Sequence, residues 1–247
     1  MDLGLQGRTA IVCGASAGIG LGVAEALVEE GANVVMFARR QDVLERQADR
    51  LGALAVPGDV TAPLDAERVV AMAVQAYGGV DVLVNNSGGP PRTRALELDE
   101  ESIQAAVRLL LVSAVRLTNL CLPHLERSGR GRVINITSST VKEPVDNLVL
   151  SNAVRPGVVG WAKTLAREVG PKGITVNSIA PGRIDTERIR EVYPDGPTAD
   201  DLVGVPLQRL GTPREIGDVV CFLASERASY VTGATIAVDG GLTRGLL

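Results

Sequence analysis

The stretch TAIVCGASAGIG, residues 9–20, decides the fold of this chain. Its first five residues form an apolar, β-branched run with the composition of a strand buried on both faces. Glycines follow at Gly14, Gly18 and Gly20, and Ile19, Val23, Ala26 and Leu27 then recur on one face of a helix that closes at Gly31. Strand, glycine turn and helix in that order let backbone amides approach a pyrophosphate, and the helix N-terminus adds favourable electrostatics. Three glycines alone are compatible with a merely structural turn. The flanking strand and helix, with a second strand at the right distance, supply the context that dinucleotide binding requires.

Runs of the same kind recur at NVVMFA (33–38), ALAV (53–56), VDVLV (80–84), RVINI (132–136), ITVNSI (174–179) and ATIAV (234–238), with amphipathic segments between them. This alternation predicts right-handed βαβ crossovers and a single α/β domain over residues 1–247. Its seven strands form a doubly wound parallel sheet flanked by six helices, with the ligand site beyond the carboxyl ends of the strands. The polar, proline-containing stretch 183–212 is too long for an ordinary connection and reads as a variable substrate loop.

Composition narrows the function. A length of 247 residues with 45% hydrophobic residues suits one large domain, and a net charge of −4 without any basic run argues against nucleic acid. Cys13, Cys121 and Cys221 are odd in number, widely separated and without metal-ligand spacing, so they read as buried reduced thiols and no metal site is expected. The N-terminus lacks the pattern of a signal peptide, and no apolar run reaches the roughly 18 residues of a membrane span. A cytoplasmic protein without membrane partners is expected.

After the second strand, Ala38 stands where an acid would accept from the adenosine 2′-hydroxyl, and Arg39 and Arg40 follow. A guanidinium there grips a 2′-phosphate through parallel hydrogen bonds, which favours NADP(H) over NAD(H). The alternative is that both arginines only solvate a helix start.

These residues, together with GDV (58–60), NNSG (85–88), NITSS (135–139), PGRIDT (181–186) and VDGG (238–241), resemble the short-chain dehydrogenase/reductase family over essentially the whole chain. Bacterial 3-oxoacyl-acyl-carrier-protein reductases and related sugar or alcohol dehydrogenases look nearest. The resemblance implies a Rossmann-type fold in which Gly14, Ser16, Ile19 and Gly20 hold the phosphates, Arg39 reads the 2′-phosphate, and Asp59 and Val60 border the adenine. It places Asn86 beside the cofactor ribose, and Ile184 with Thr186 at the nicotinamide carboxamide. It also implies a homo-oligomer, a tetramer or dimer, packed through the C-terminal segment, and a small-molecule carbonyl or alcohol substrate.

The resemblance fails at the catalytic residues. Family reductases orient the carbonyl with a serine, donate the proton from a tyrosine, hold the ribose with a lysine and support a water relay with an asparagine. Ser138 matches the serine, but counting back from GWAKTLARE puts Ser151 at the tyrosine position and Arg155 at the lysine position, and Leu110 falls at the asparagine position. An aliphatic hydroxyl is far less acidic than a phenol with its ordinary pKa of about 10, and a guanidinium fork does not reproduce a compact ammonium. Arg155 therefore reads as a surface or ribose-holding residue. Pro156 is tolerated only in a helix's first turn, so the helix is expected to begin near Asn152 or Ala153, or to kink, with Ser151 as its cap or as a reactive group.

Other polar candidates have solvated or structural readings beside the chemical one: His124, Tyr193, Lys142, Glu143 and Asp146 as replacement acids, and Arg92 and Arg94 as attractors of an anionic substrate. Two functional classes remain open. One is an NADP(H)-dependent oxidoreductase with an unusual proton source; the other is a weak or inactive NADP(H)-binding sensor or scaffold.

Overall fold

A computed structural model describes residues 2–192, 196–198 and 202–246. Strands β1 (Thr9–Cys13), β2 (Asn33–Ala38), β3 (Leu54–Pro57), β4 (Val82–Asn85), β5 (Arg132–Ile136), β6 (Thr175–Pro181) and β7 (Thr235–Val238) form one sheet in the order β3-β2-β1-β4-β5-β6-β7. Every pairing is parallel. β4 starts at Val82 rather than Val80 because Asp81 is engaged just below it, accepting from the Thr9 amide at 2.8 Å.

Alternate residues of each strand face opposite layers, as the pleat demands. Ala10 and Val12 of β1 join a core completed by α1 (Gly18–Glu29), α2 (Gln41–Leu51) and a late helix, Pro213–Ala224. Ile11 and Cys13 join the other core, with α3 (Pro63–Tyr77) and residues from Leu117 to Val169. Burial pushes the Cys13 and Cys221 thiols up to about 12 and the Cys121 thiol higher still, which leaves all three as inert packing groups.

Two expectations need correction. Helix α4 (Glu100–Val107) runs through a π-turn, Arg108–Val112, directly into α5 (Ser113–Ser128), making one helix with the length and composition to cross a membrane. Its Leu117, Cys121 and Leu125 are nevertheless buried against the sheet. The apolar run looked short because polar residues of its solvent face interrupt it. The second correction concerns α6, which spans Val149–Val169 and starts well before Asn152. Its first bond is Asn152 N–H to Leu148 C=O, and Pro156 sits on the exposed face, where water can satisfy the carbonyl that the missing N–H leaves free.

Counting Glu100–Ser128 as one helix, the described residues hold the six expected long helices. The additional short α7 (Glu187–Val192) lies inside the 183–212 segment, and α8 (Pro213–Ala224) follows it. The amino-terminal ends of the strands hold something unexpected: Arg8 and Arg132 are 0% and 3% exposed. Arg8 donates to the carbonyls of Ala224 (2.7 Å) and Arg130 (2.5 Å), and Arg132 to that of Gly131 (2.9 Å). Burial lowers the Arg8 pKa to about 10, opposed by the attraction of Asp81.

Candidate active site

The chain leaves β1 in one direction to build β2 and β3, then returns to place β4 on the other side of β1. That reversal opens a crevice at the carboxyl ends of β1 and β4. Asn86 straps it, donating from Nδ2 to the Cys13 carbonyl at 3.1 Å. Gly14 turns the chain there at φ +64°, and a Cβ at Gly20 would lie 2.2 Å from the Gly14 carbonyl oxygen. Helix α1 begins at Gly18 with no side-chain cap and no acid in its first turn, so its leading amides remain available to an anion.

The crevice widens into a cleft of about 810 Å³. Gly14, Ser16, Ile19, Arg39, Asp59, Val60, Asn86 and Thr186 all line it. Gly20 lies just beneath, packed on Gly14. Ile184 is elsewhere: its side chain is buried in the core, and its backbone pairs with Gly211. Arg40 is tied to Glu187 at 3.1 Å, whereas Arg39 is exposed, without a carboxylate in ion-pair contact among the described residues. Burial would raise the Asp59 carboxyl, but hydrogen bonds from the Thr61 amide and hydroxyl, helped by Arg39, hold it below its usual range.

Ser138 is not among the residues lining the cleft or the cavity beside it; it caps a short turn, Ser139–Val141, and its Oγ accepts from the Thr140 amide at 3.2 Å. The hydroxyl proton of Ser138 is thereby left to point elsewhere. Ser151 lies in the first turn of α6 but is not its cap. It is 5% exposed and shares a 3.0 Å hydrogen bond with the Thr140 hydroxyl, itself buried. Arg155, expected at the surface or on the ribose, is 8% exposed, and its Nη1 donates to the Ile136 carbonyl at 3.2 Å. It lines a small cavity of about 20 Å³ beside the cleft, together with Leu110 from the π-turn.

Two further asparagines of that cavity, Asn85 and Asn135, escaped the sequence reading. Asn85 and Asn135 face each other across β4 and β5, and Asn85 Nδ2 donates both to Asn135 Oδ1 (2.9 Å) and to Thr118 Oγ1 (3.1 Å). Asn85 Oδ1 and Asn135 Nδ2 are left without a partner among the described residues. Polar residues ending two otherwise apolar strands were the available signal, since a buried amide rarely lacks a partner without a reason.

The remaining candidates scatter. Glu143 accepts from the Arg244 and Gly245 amides at 2.5 and 2.7 Å and is occupied in holding the chain's end. Asp146 and Arg94 line a neighbouring groove, and Arg92 lines the cleft. Lys142 is half-buried at the end of the Ser139–Val141 turn. His124, whose pKa is lowered by burial and by Arg127, contacts Arg127 on α5. Tyr193 lies outside the described residues. No grouping of metal-ligating side chains occurs among the described residues.

Comparison with known proteins agrees with this geometry. The family model described as enoyl-(acyl carrier protein) reductase matches residues 14–243. A 3-oxoacyl-[acyl-carrier-protein] reductase, FabG of Vibrio cholerae, is 38% identical over 244 residues, covering 97% of this chain and 99% of that protein. Dehydrogenase/reductase SDR family member 4 of Sus scrofa is 34% identical, covering 96% and 88%. Among solved structures, an L-sorbose reductase from Gluconobacter frateurii, complexed with NADPH and L-sorbose, superposes with a TM-score of 0.93 at 34% identity over 100% of both chains. YwfH, an NADPH-dependent reductase involved in bacilysin biosynthesis, superposes at 0.92 with 26% identity over 97% and 99%. With its parallel sheet, glycine-lined crevice and whole-chain likeness to these reductases, the chain belongs to the short-chain dehydrogenase/reductase family.

Proposed function

We propose that this protein is an NADP(H)-dependent oxidoreductase acting on a carbonyl compound or secondary alcohol, 3-oxoacyl-like substrates included, with a proton source other than the family's tyrosine. The observation that carries this reading is a stretch of the cleft lining in which Ala38 stands where an acid would recognise a 2′-hydroxyl and Arg39 is open to solvent. The glycine cradle and the uncapped start of α1 fit a pyrophosphate. NADPH, when bound, would supply a hydride for a carbonyl carbon. The chain's own part is to hold the phosphates on the α1 amides, grip the 2′-phosphate through Arg39 and offer the Ser138 hydroxyl to the substrate oxygen. Arg39→Ala should weaken NADPH by about 10- to 100-fold, the value of a charge-assisted contact, and leave NADH unchanged in a fluorescence titration. Equal native affinity for both cofactors would defeat the assignment.

Burial of Ser151 against Thr140 and of Arg155 against Ile136 supports a second reading, a cofactor-binding sensor or scaffold with little turnover. NADPH binding measured beside a carbonyl-reduction panel separates the two. Within the enzyme reading, Ser151→Ala should leave NADPH affinity intact, cost about 1 kcal/mol by stranding the Thr140 hydroxyl, and lower turnover less than Ser138→Ala does. A loss of about 100-fold or more, the scale of a positioned acid, would show that Ser151 takes part. A cytoplasmic homo-oligomer, tetramer or dimer, completes the proposal.

A further inference from the structure

The two rims of the cleft differ in how their charges are met. On one, Arg40 pairs with Glu187, and Arg39, which has no carboxylate in ion-pair contact among the described residues, is the residue assigned above to the cofactor's 2′-phosphate. The other rim is the loop that follows β4, whose residues Gly88, Gly89, Pro90 and Pro91 line the cleft and lead to Arg92. Arg92 also lines the cleft, is exposed, and makes no ion pair with any carboxylate among the described residues.

The loop that carries Arg92 is held at both ends. Its two prolines have fixed φ, and Pro90 is buried. Directly after Arg92, the Thr93 amide donates to the Asn147 carbonyl at 3.0 Å, and Thr93 pairs with Leu148 at the start of α6. Anchoring on both sides confines the Arg92 backbone to the cleft rim. The nearby acids are directed elsewhere: Glu143 holds the 244–245 amides, and Asp146 lines the adjoining groove. Leu109 adds an apolar wall to the same cleft. A guanidinium fork on an anchored loop, beside an apolar wall and without an ion-paired carboxylate among the described residues, matches an oxyanion that presents two acceptor oxygens.

We infer that Arg92 selects the substrate, and that the substrate is a carbonyl compound, or its alcohol, bearing an oxyanion such as a carboxylate or phosphate. This inference rests on the oxidoreductase reading and deepens it by naming the substrate class. It gives the Gly-Gly-Pro-Pro loop a purpose, namely to present one cation at a fixed point on the rim.

The test is binding of matched carbonyl probes to the protein saturated with NADP⁺, a pair that cannot transfer hydride, followed by calorimetry. Levulinate is set against methyl levulinate, and dihydroxyacetone phosphate against dihydroxyacetone. At least one anionic member should bind about 10- to 100-fold more tightly than its neutral partner, and whichever pair responds identifies carboxylate or phosphate as the preferred group. Arg92→Ala should abolish that preference while leaving the neutral probes and NADPH itself unchanged, Arg92→Lys should keep part of it, and Arg94→Ala should keep all of it. Equal affinity within both pairs, or no binding of any probe to the NADP⁺ complex, would overturn the inference while sparing the cofactor assignment. A loss of NADPH affinity in Arg92→Ala would also overturn it, by making Arg92 a cofactor ligand. Failure of the native protein to bind NADPH would remove the oxidoreductase reading and this one together.

Discussion

Gly20→Ala severely weakens NADPH binding and destabilises the protein: this is the expected result of adding a single methyl group beneath the Gly14 turn. The new Cβ would lie 2.2 Å from the Gly14 carbonyl oxygen and 2.8 Å from Asn86 Nδ2, so backbone must move. Gly14 is part of the turn proposed to face the phosphates, and Asn86 straps β4 to β1 through Cys13, so the shift reaches both sides of the crevice. Loss of two charge-assisted amide contacts weakens NADPH by about 100-fold or more, and overpacking costs about 1–3 kcal/mol. Gly157→Ala is the matching control. A Cβ there meets nothing within 4 Å, and the position lies on the exposed face of α6, so helix propensity alone predicts a gain of about 0.5–1 kcal/mol. Thermal unfolding and NADPH titration of both variants check the pair. Retention of native affinity by Gly20→Ala would show that the phosphates do not lie over this turn.

Arg8→Ala should be the most damaging change for stability, although Arg8 is at the end of the sheet opposite the cleft. Its guanidinium is fully buried and joins the end of α8 to the turn before β5 through the Ala224 and Arg130 carbonyls. Truncation strands both carbonyls, leaves a cavity and removes the attraction to Asp81, a combination worth about 3–5 kcal/mol. Chemical denaturation measures the loss, while NADPH affinity of the remaining folded protein stays native. A loss below about 1 kcal/mol would mean that water replaces the guanidinium at no cost.

The sheet and the nucleotide crevice are legible in the sequence because their signals are local. Strands buried on both faces must be continuously apolar, and the close approach of Gly14 and Gly20 excludes side chains. The reaction end is less legible because it depends on contacts between distant segments. Pro156 suggested a late helix start, yet its ring faces solvent and costs α6 only one bond on the wet side. The assignment of Ser151 as a cap failed for the same reason. Arg155 carries a residue type expected at the surface, and only the fold brings the Ile136 carbonyl to it. The pairing of Asn85 with Asn135 required knowing that β4 and β5 are neighbours in this register.

The central place of β1 also governs how the chain must assemble. Ile11 pairs with Val35 on one side, a local partner, and with Leu83 on the other, which arrives only after two further strands and three helices have been traversed. During synthesis β1 therefore keeps one hydrogen-bonding edge open until β4 emerges. Parallel pairing over such separations is slow because loop closure precedes any reward, and an apolar strand with an unpaired edge recruits other chains in the meantime. The crevice proposed to bind the nucleotide is formed by that same late junction, so the candidate site and the longest-open strand edge coincide at β1 and β4.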